Sequence, residues 1–247
     1  KEIDYFVGSN CITPKNEEKN YIEKVFRIPN ISQCFTSPNF NLEIKNLPAF
    51  KNNFITFGST NKLCKINDKV ILLWSKILLS IPKSILILKS RELSDHQVLE
   101  NTLKKFKKFN ISSDRLILIG KSSTRKEFVE IYNRIDIALD PFPFQGNTST
   151  CEAVWMGVPV LTLKGDRYLF HFGESINSNL GMSDWIAKDN KEYIEKAIKF
   201  SSDLKKLARI RLNLRKIALN SPVFNCKNFS NDFHDMLWKM WYDFNNK

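Results

Sequence analysis

Three short stretches of this sequence combine small, hydroxyl-bearing and basic residues in a way that suits an anionic ligand. The first is Gly58-Ser59-Thr60-Asn61-Lys62-Leu63-Cys64-Lys65. Its small polar residues hold the backbone open, and Lys62 and Lys65 have the reach to meet a phosphate. The same composition also suits an ordinary surface loop. The second is Asp140-Pro141-Phe142-Pro143-Phe144-Gln145-Gly146-Asn147-Thr148-Ser149-Thr150. Two prolines stiffen it, Gly146 permits close backbone approach, and Thr148, Ser149 and Thr150 open a helix. The free N–H groups and dipole of a helix start favour negative charge. Glu152, one turn in, could accept hydrogen bonds from a sugar diol. Alternatively, Ser149 and Glu152 form a capping box, which has the same spacing. The third stretch is Lys121-Ser122-Ser123-Thr124-Arg125, leading into Phe128. Neither a phosphate loop ending in Gly-Lys-Ser/Thr nor a complete three-glycine dinucleotide fingerprint occurs. That speaks against an ATPase or an ordinary dehydrogenase.

Each of these stretches follows a predicted strand. Residues 54–58, 85–88, 116–120, 135–140 and 158–162 read as strands, and Ile85-Leu86-Ile87-Leu88 is apolar without alternation, as expected of a strand covered on both faces. Helical patterns separate them. From Asp68 onward, Val70, Leu73, Trp74, Ile77, Leu78 and Ile81 fall on one helical face, and Pro82 stops the run. Ser94 with Gln97, Thr124 with Glu127, and Ser149 with Glu152 have capping-box spacing at three helix starts. Strand and helix alternating in this way predict a Rossmann-like α/β fold: a parallel sheet with helices on both faces. Ligands of such sheets bind beyond the carboxyl ends of the strands, where the three stretches lie. Residues 3–7 read as a further strand, residues 17–26 as a helix or a loop, and residues 31–52 as a connector. From Asn190 the chain reads as helical. Its last helix carries Phe229, Phe233, Met236, Leu237, Met240, Trp241 and Phe244 on one face, a stripe suited to docking on the body of the protein or on another lobe.

Composition bounds the function. The 247 residues are 43% hydrophobic, enough for a buried core and too apolar for disorder. The formal net charge of +12 fits either an anionic partner or solvated faces that happen to be rich in lysine. The densest run, residues 104–108, fits the exposed side of a helix. No recognisable nucleic-acid module accompanies the charge, so no nucleic-acid partner is expected. The five cysteines are far apart and contain no C-x-x-C pair, and the three histidines lack ligand spacing, so no metal site or disulfide framework is expected. No secretory signal and no bilayer-spanning run is evident, so the expectation is a cytoplasmic protein without a membrane partner. The chain starts at Lys1 rather than methionine, and a piece of a longer protein is expected.

Several segments, taken in order, resemble the catalytic region of the protein O-GlcNAc transferases, a family that includes the Spindly-type O-fucosyltransferases. They are Thr56-Phe57-Gly58-Ser59, Lys65-Ile66-Asn67, Leu86-Ile87-Leu88-Lys89-Ser90-Arg91, Asp136-Ile137-Ala138-Leu139-Asp140-Pro141-Phe142-Pro143, Cys151-Glu152-Ala153-Val154-Trp155-Met156-Gly157-Val158-Pro159-Val160 and Gly165-Asp166-Arg167. The resemblance implies the C-terminal half of a two-lobed, GT-B type glycosyltransferase, usually preceded by tetratricopeptide repeats. It divides the chain into the end of an N-terminal catalytic lobe (1–30), a connector (31–52), a nucleotide-sugar-binding lobe (53–225) and a terminal helix (226–247).

By the same resemblance, Lys65 contacts the donor diphosphate and stabilises the leaving group. Thr148 and Ser149, with Thr150, bind that diphosphate. Glu152 holds the ribose. Asn61 and Lys62 lie near the donor, Lys62 where the family has an amide-bearing residue. Ser123 and Arg125 grip the nucleobase. Three positions depart from the family: Phe128 stands for a histidine, Asn147 for glycine or histidine beside the diphosphate, and His171 for an arginine. The implied reaction moves a sugar, GlcNAc from UDP-GlcNAc in the first instance, to protein Ser/Thr hydroxyls without a metal or other cofactor. The implied partners are the nucleotide sugar, a protein acceptor, and the rest of the N-terminal lobe with its repeats. A donor-binding fragment without activity, and a related transferase using GDP-fucose or another acceptor, are the alternatives.

Overall fold

A computed structural model describes residues 3–246. Its centre is a six-stranded, all-parallel sheet in the order β5-β4-β3-β6-β7-β8. The strands are β3 (Thr56–Ser59), β4 (Ile85–Lys89), β5 (Leu116–Ile119), β6 (Ile137–Leu139), β7 (Val160–Leu163) and β8 (Ile186–Ala187). Around it lie helices α1 (Pro48–Asn52), α2 (Asp68–Ser80), α3 (His96–Lys107), α4 (Arg125–Glu130), α5 (Thr148–Trp155), α6 (Phe172–Asn179), α7 (Asn190–Ser202) and α8 (Leu204–Leu219). From β3 the chain winds outward through β4 and β5, then returns to the other side of β3 for β6, β7 and β8. Strand order therefore reverses between β3 and β6, where Phe57 faces Ile137 across the ladder.

Side-chain alternation explains why the strands read as unbroken apolar runs. Leu86 and Leu88, Ile137 and Leu139, and Leu161 and Leu163 pack on one face with Trp74, Ile77 and Leu78 of α2 and Tyr193 and Ala197 of α7. Ile87, Ala138 and Val160 pack on the other with Val154 of α5, Ile176 of α6 and Leu214 of α8. Both faces are covered, so neither can be polar. Buried polar groups tie the ends. Asp136 accepts from the backbone N–H groups of Ala49 (2.9 Å) and Thr56 (2.8 Å), which fixes α1 and the start of β3. The buried Arg211 of α8 donates to the carbonyls of Lys45 and Ile135, both at 2.8 Å.

The expected strands and helices recur with shifted ends, and four details differ. Residues 54 and 55 precede β3 rather than belong to it. Asp95, not Ser94, caps α3 by accepting from Val98 N–H at 3.0 Å. Ser94 Oγ instead accepts from Lys121 N–H at 2.7 Å and holds the loop after β5. The connector 31–52 ends in α1, a five-residue helix too short for periodicity to show. Helix α6 and strand β8 had no sequence signal: α6 opens at His171 without a side-chain cap, and β8 is two residues long.

The start of the chain forms a separate parallel pair, β1 (Tyr5–Ser9) and β2 (Lys24–Ile28), joined through a 3-10 turn at Lys15–Asn20. The segment 17–26 is thus turn at its start and strand at its end. The last helix, α9 (Cys226–Asn245), docks here and not on the six-stranded sheet. Met236 and Met240 pack with Val7, Phe26 and Ile28, Tyr5 Oη donates to the Met240 carbonyl at 3.2 Å, and Lys24 ion-pairs with Asp243. The apolar stripe is therefore split. Phe229 and Phe233 stack on each other at 6.0 Å between centroids, and Leu237, Trp241 and Phe244 stay exposed. Two strands about 5 Å apart are too narrow to cover a broader stripe. Among the described residues, no helix is long and apolar enough to cross a membrane.

Candidate functional site

Strand order reverses between β3 and β6, and the carboxyl ends of the strands flanking such a reversal are the position at which open α/β sheets hold ligands. The loop after β3 delivers Thr60, Asn61, Lys62 and Lys65. The loop after β6 delivers residues 140–147 and the start of α5. Buried polar contacts fasten the two together. Asn61 donates through Nδ2 to Ser59 Oγ (3.3 Å) and accepts from Ser149 Oγ (3.0 Å). Tyr132 Oη donates to the Ser149 carbonyl at 2.8 Å and lies 2.6 Å from Thr60 Oγ1.

Asp140 sits under the second loop, 1% exposed. It accepts from Gly146 N–H at 2.7 Å and from Thr162 Oγ1 at 2.9 Å. Burial pushes its carboxyl up to about 7, against those two donors and the charge of Lys65. The turn leaves no room for a side chain at Gly146: a Cβ there would lie 2.5 Å from Ser149 Oγ and 2.7 Å from Thr150 Oγ1. Lys65 Nζ donates to the Gln145 carbonyl at 2.8 Å and lies 3.8 Å from the Phe144 ring centroid. Burial holds its ammonium below the usual lysine value, partly offset by Asp140. A partly desolvated cation therefore rests on the segment that runs into α5.

Helix α5 begins at Thr148, and its cap residue Asn147 makes no side-chain capping bond. Ser149 and Glu152 are not a capping box: Ser149 Oγ is directed to Asn61, and the Glu152 carboxylate is buried and ion-paired with Arg125. Of the three hydroxyl residues, Thr148 is exposed, Ser149 half-buried and Thr150 buried. The first-turn N–H groups of α5 thus have no side-chain acceptor from the cap, and Lys65 rests on the loop that leads into them, a combination suited to a multiply charged anion.

The remaining candidates fall into two places. Arg125 spans from Glu152 to Phe128, its guanidinium carbon 5.3 Å from that ring's centroid. Residues assigned to ribose and to nucleobase are thus brought together. Ser123 is exposed, and its N–H donates to Glu127 Oε2 at 2.7 Å, next to the Thr124 cap that accepts from Glu127 N–H at 3.1 Å. Lys62 is exposed, and its charge is felt by both Lys65 and Glu92. His171 is buried between Glu174 (3.1 Å) and Glu17 (2.9 Å).

The model of glycosyl transferase family 41 matches residues 41–233. The chain belongs to that family. Among its relatives is "Probable UDP-N-acetylglucosamine--peptide N-acetylglucosaminyltransferase SPINDLY" of Solanum lycopersicum, 31% identical over 97% of this chain and 26% of that protein. The "UDP-N-acetylglucosamine--peptide N-acetylglucosaminyltransferase" of Caenorhabditis elegans is 27% identical over 76% of this chain and 16% of its own length. A Thermobaculum terrenum O-GlcNAc transferase structure superposes with a TM-score of 0.87 at 31% identity, over 97% of this chain and 45% of that one. WaaG, a glycosyltransferase involved in lipopolysaccharide biosynthesis, at 12% identity and a TM-score of 0.60 over 93% of this chain and 61% of that one, shares the fold alone. The chain spans about a quarter of the length of the SPINDLY relative.

Within this family-41 chain, sequence reasoning overlooked Tyr132 and gave no role of their own to Asp140 and Gln145, although both lie in a stretch it singled out. Gln145 is buried, with its carboxamide accepting from Gly173 N–H at 2.7 Å and donating to the Leu163 carbonyl at 2.5 Å. One signal was available for a role of Asp140: it is a carboxylate at the carboxyl end of a central strand, opening a loop already singled out.

Proposed function

We propose that this chain is the donor-binding half of a metal-independent glycosyltransferase that moves a sugar, GlcNAc from UDP-GlcNAc, to Ser or Thr hydroxyls of proteins. The observation that carries the reading is that Lys65, at the β3/β6 switch point, rests on Gln145 in the loop running into α5, whose cap leaves the first-turn N–H groups without a side-chain acceptor. A diphosphate placed there meets one ammonium and several backbone N–H groups. In the reaction the bond from the sugar's anomeric carbon to the diphosphate oxygen breaks, and a bond to the acceptor hydroxyl oxygen forms. Negative charge builds on the departing diphosphate, where fixed donors stabilise the transition state most. On this reading Thr148 and Ser149 line the diphosphate, Glu152 turns from Arg125 to the ribose hydroxyls, and the freed Arg125 joins Phe128 and Ser123 at the base. Asn61 acts from behind, holding Ser149, and Asn147 leads the helix to the phosphates. The acceptor and the group that takes its hydroxyl proton belong to the other lobe.

Calorimetric titration of the chain with UDP and with GDP tests this. Saturable binding with UDP preferred is the expected result. Absence of binding by either nucleotide at millimolar concentration would contradict it, and a GDP preference would move the donor to a guanosine diphosphate sugar.

A further inference from the structure

Two of the five cysteines lie outside the loops of the candidate site and close to each other. Cys34 Sγ is 3.3 Å from Cys226 Sγ, although 192 positions separate them in sequence. Cys34 is half-buried in the connector that leaves β2, and Cys226 is exposed at the first position of α9. Their backbones are held in register by neighbouring contacts. Phe35 N–H donates to the Val223 carbonyl at 2.8 Å, and the rings of Phe35 and Phe224 meet edge to face at 5.5 Å. Thr36 Oγ1 lies 3.5 Å from Cys226 Sγ.

The place of this pair in the chain gives it leverage. The unit made of β1, β2 and α9 is joined covalently to the six-stranded lobe at two crossings: the connector after Ile28 and the turn between Leu219 and Cys226. Each crossing carries one of the two thiols. We propose that Cys34 and Cys226 form a redox-controlled clamp, closing into an intramolecular disulfide that locks the β1–β2–α9 unit against the donor lobe.

The two thiols have unequal roles. Cys226 is exposed and sits at the positive end of a 20-residue helix. Hydrogen bonds from Thr36 and Cys34 hold its pKa below the usual thiol value. These are the conditions for an attacking thiolate. Cys34 is pushed up to about 12 by burial and by Cys226, and serves as the resolving thiol. The oxidant is a low-molecular-weight disulfide. The Cys226 thiolate attacks one of its sulfurs, the small S–S bond breaks, one small thiolate leaves, and a mixed disulfide forms on Cys226. Cys34 gives up its proton to the departed thiolate and attacks Cys226 Sγ, releasing the second small thiolate, which takes a proton from solvent. Two protein thiols are oxidised, and one small disulfide is reduced to two thiols.

The test equilibrates the chain in buffers of reduced and oxidised glutathione, quenches with acid, alkylates and maps peptides by mass. The expected product in oxidising buffer is a monomer in which a Cys34–Cys226 cross-link has consumed two of the five thiols. Cys34→Ser should trap glutathione on Cys226, and Cys226→Ser should leave position 34 unmodified. Amide hydrogen exchange across residues 29–40 should slow on oxidation of the wild type. Overturning results are the absence of a 34–226 cross-link in fully oxidised glutathione, dimers joined through Cys226, or preferential linkage of Cys34 to Cys151. If a serine variant does not fold, the wild-type peptide map decides alone.

Discussion

Two hydrogen-bond donors and one ammonium converge on the buried carboxylate of Asp140. Its folded pKa, about 7, lies above the usual aspartate value near 3.9. A carboxyl raised on folding stabilises the protein below the unfolded value and loses that contribution as pH rises through the folded one. Wild-type stability should therefore fall between about pH 4 and 7 by a component that Asp140→Asn lacks. Melting temperatures of the two proteins compared at pH 5 and pH 8 check this, and the gap should move in favour of the variant at the higher pH. Parallel pH profiles would mean that Asp140 is ionised at low pH in the fold. The same carboxylate shows what sequence hides at this scale. Lys65 and Glu152 stand out in the sequence because a charged residue in a strand-end loop or a first helical turn is conspicuous. Asp140 reads as an ordinary strand-ending residue. Asn61 gives no hint that its partner is Ser149, 88 positions away.

At the scale of elements, the sheet was legible because strands covered on both faces cannot alternate, and those runs stand out between helical faces. Caps were less legible, since a serine and an aspartate side by side compete for one helix start and tertiary contacts choose between them, as Ser94 and Asp95 show. The union of the first segment with the main lobe was not legible at all. It runs through His171, which joins Glu17 of the 3-10 turn to Glu174 of α6. Burial alone would lower the imidazole pKa, but hydrogen bonds and charges from Glu174 and Glu17 outweigh it and the net shift is upward. Glu174 is held below its usual value despite burial, through its bonds to His171 and Lys164. The histidine contribution is complete below its unfolded value, near 6.5, and is lost as pH rises through the raised folded value. The Glu174 contribution is lost in the opposite direction, as pH falls below its unfolded value. Amide exchange of residues 15–20, corrected for intrinsic rate, should accelerate as pH rises above 6.5, and His171→Gln should remove that dependence. An unchanged pH profile in the variant would show that other contacts hold the segment.

At the scale of the molecule, a family-41 chain covering about a quarter of its SPINDLY relative presents strand-end loops on one edge of its sheet and an exposed apolar face on α9. Holding donor and acceptor together can be worth roughly 7–11 kcal/mol of barrier. The chain by itself is therefore expected to bind UDP-GlcNAc yet transfer sugar to proteins far below the rate of a longer family member. A radiolabelled-sugar assay on mixed acceptor proteins checks this, and robust transfer would show that these residues form a complete enzyme. The stripe on α9 was visible in sequence, but its division between buried methionines and exposed aromatics depended on the width of the β1–β2 pair, which no local pattern encodes.

On the proposed function, Lys65 and the α5 N-terminus hold the second phosphate of a nucleotide. The most direct measurement is calorimetric affinity for UDP and for UMP, in the wild type and in Lys65→Ala. Loss of a charge-assisted contact costs about 1.5–3 kcal/mol, roughly 10- to 150-fold in affinity. UDP should bind the wild type at least about tenfold more tightly than UMP, and Lys65→Ala should erase most of that difference while leaving UMP affinity and melting temperature nearly unchanged. Equal affinities for UDP and UMP in the wild type, or an undiminished preference for UDP in the variant, would contradict it.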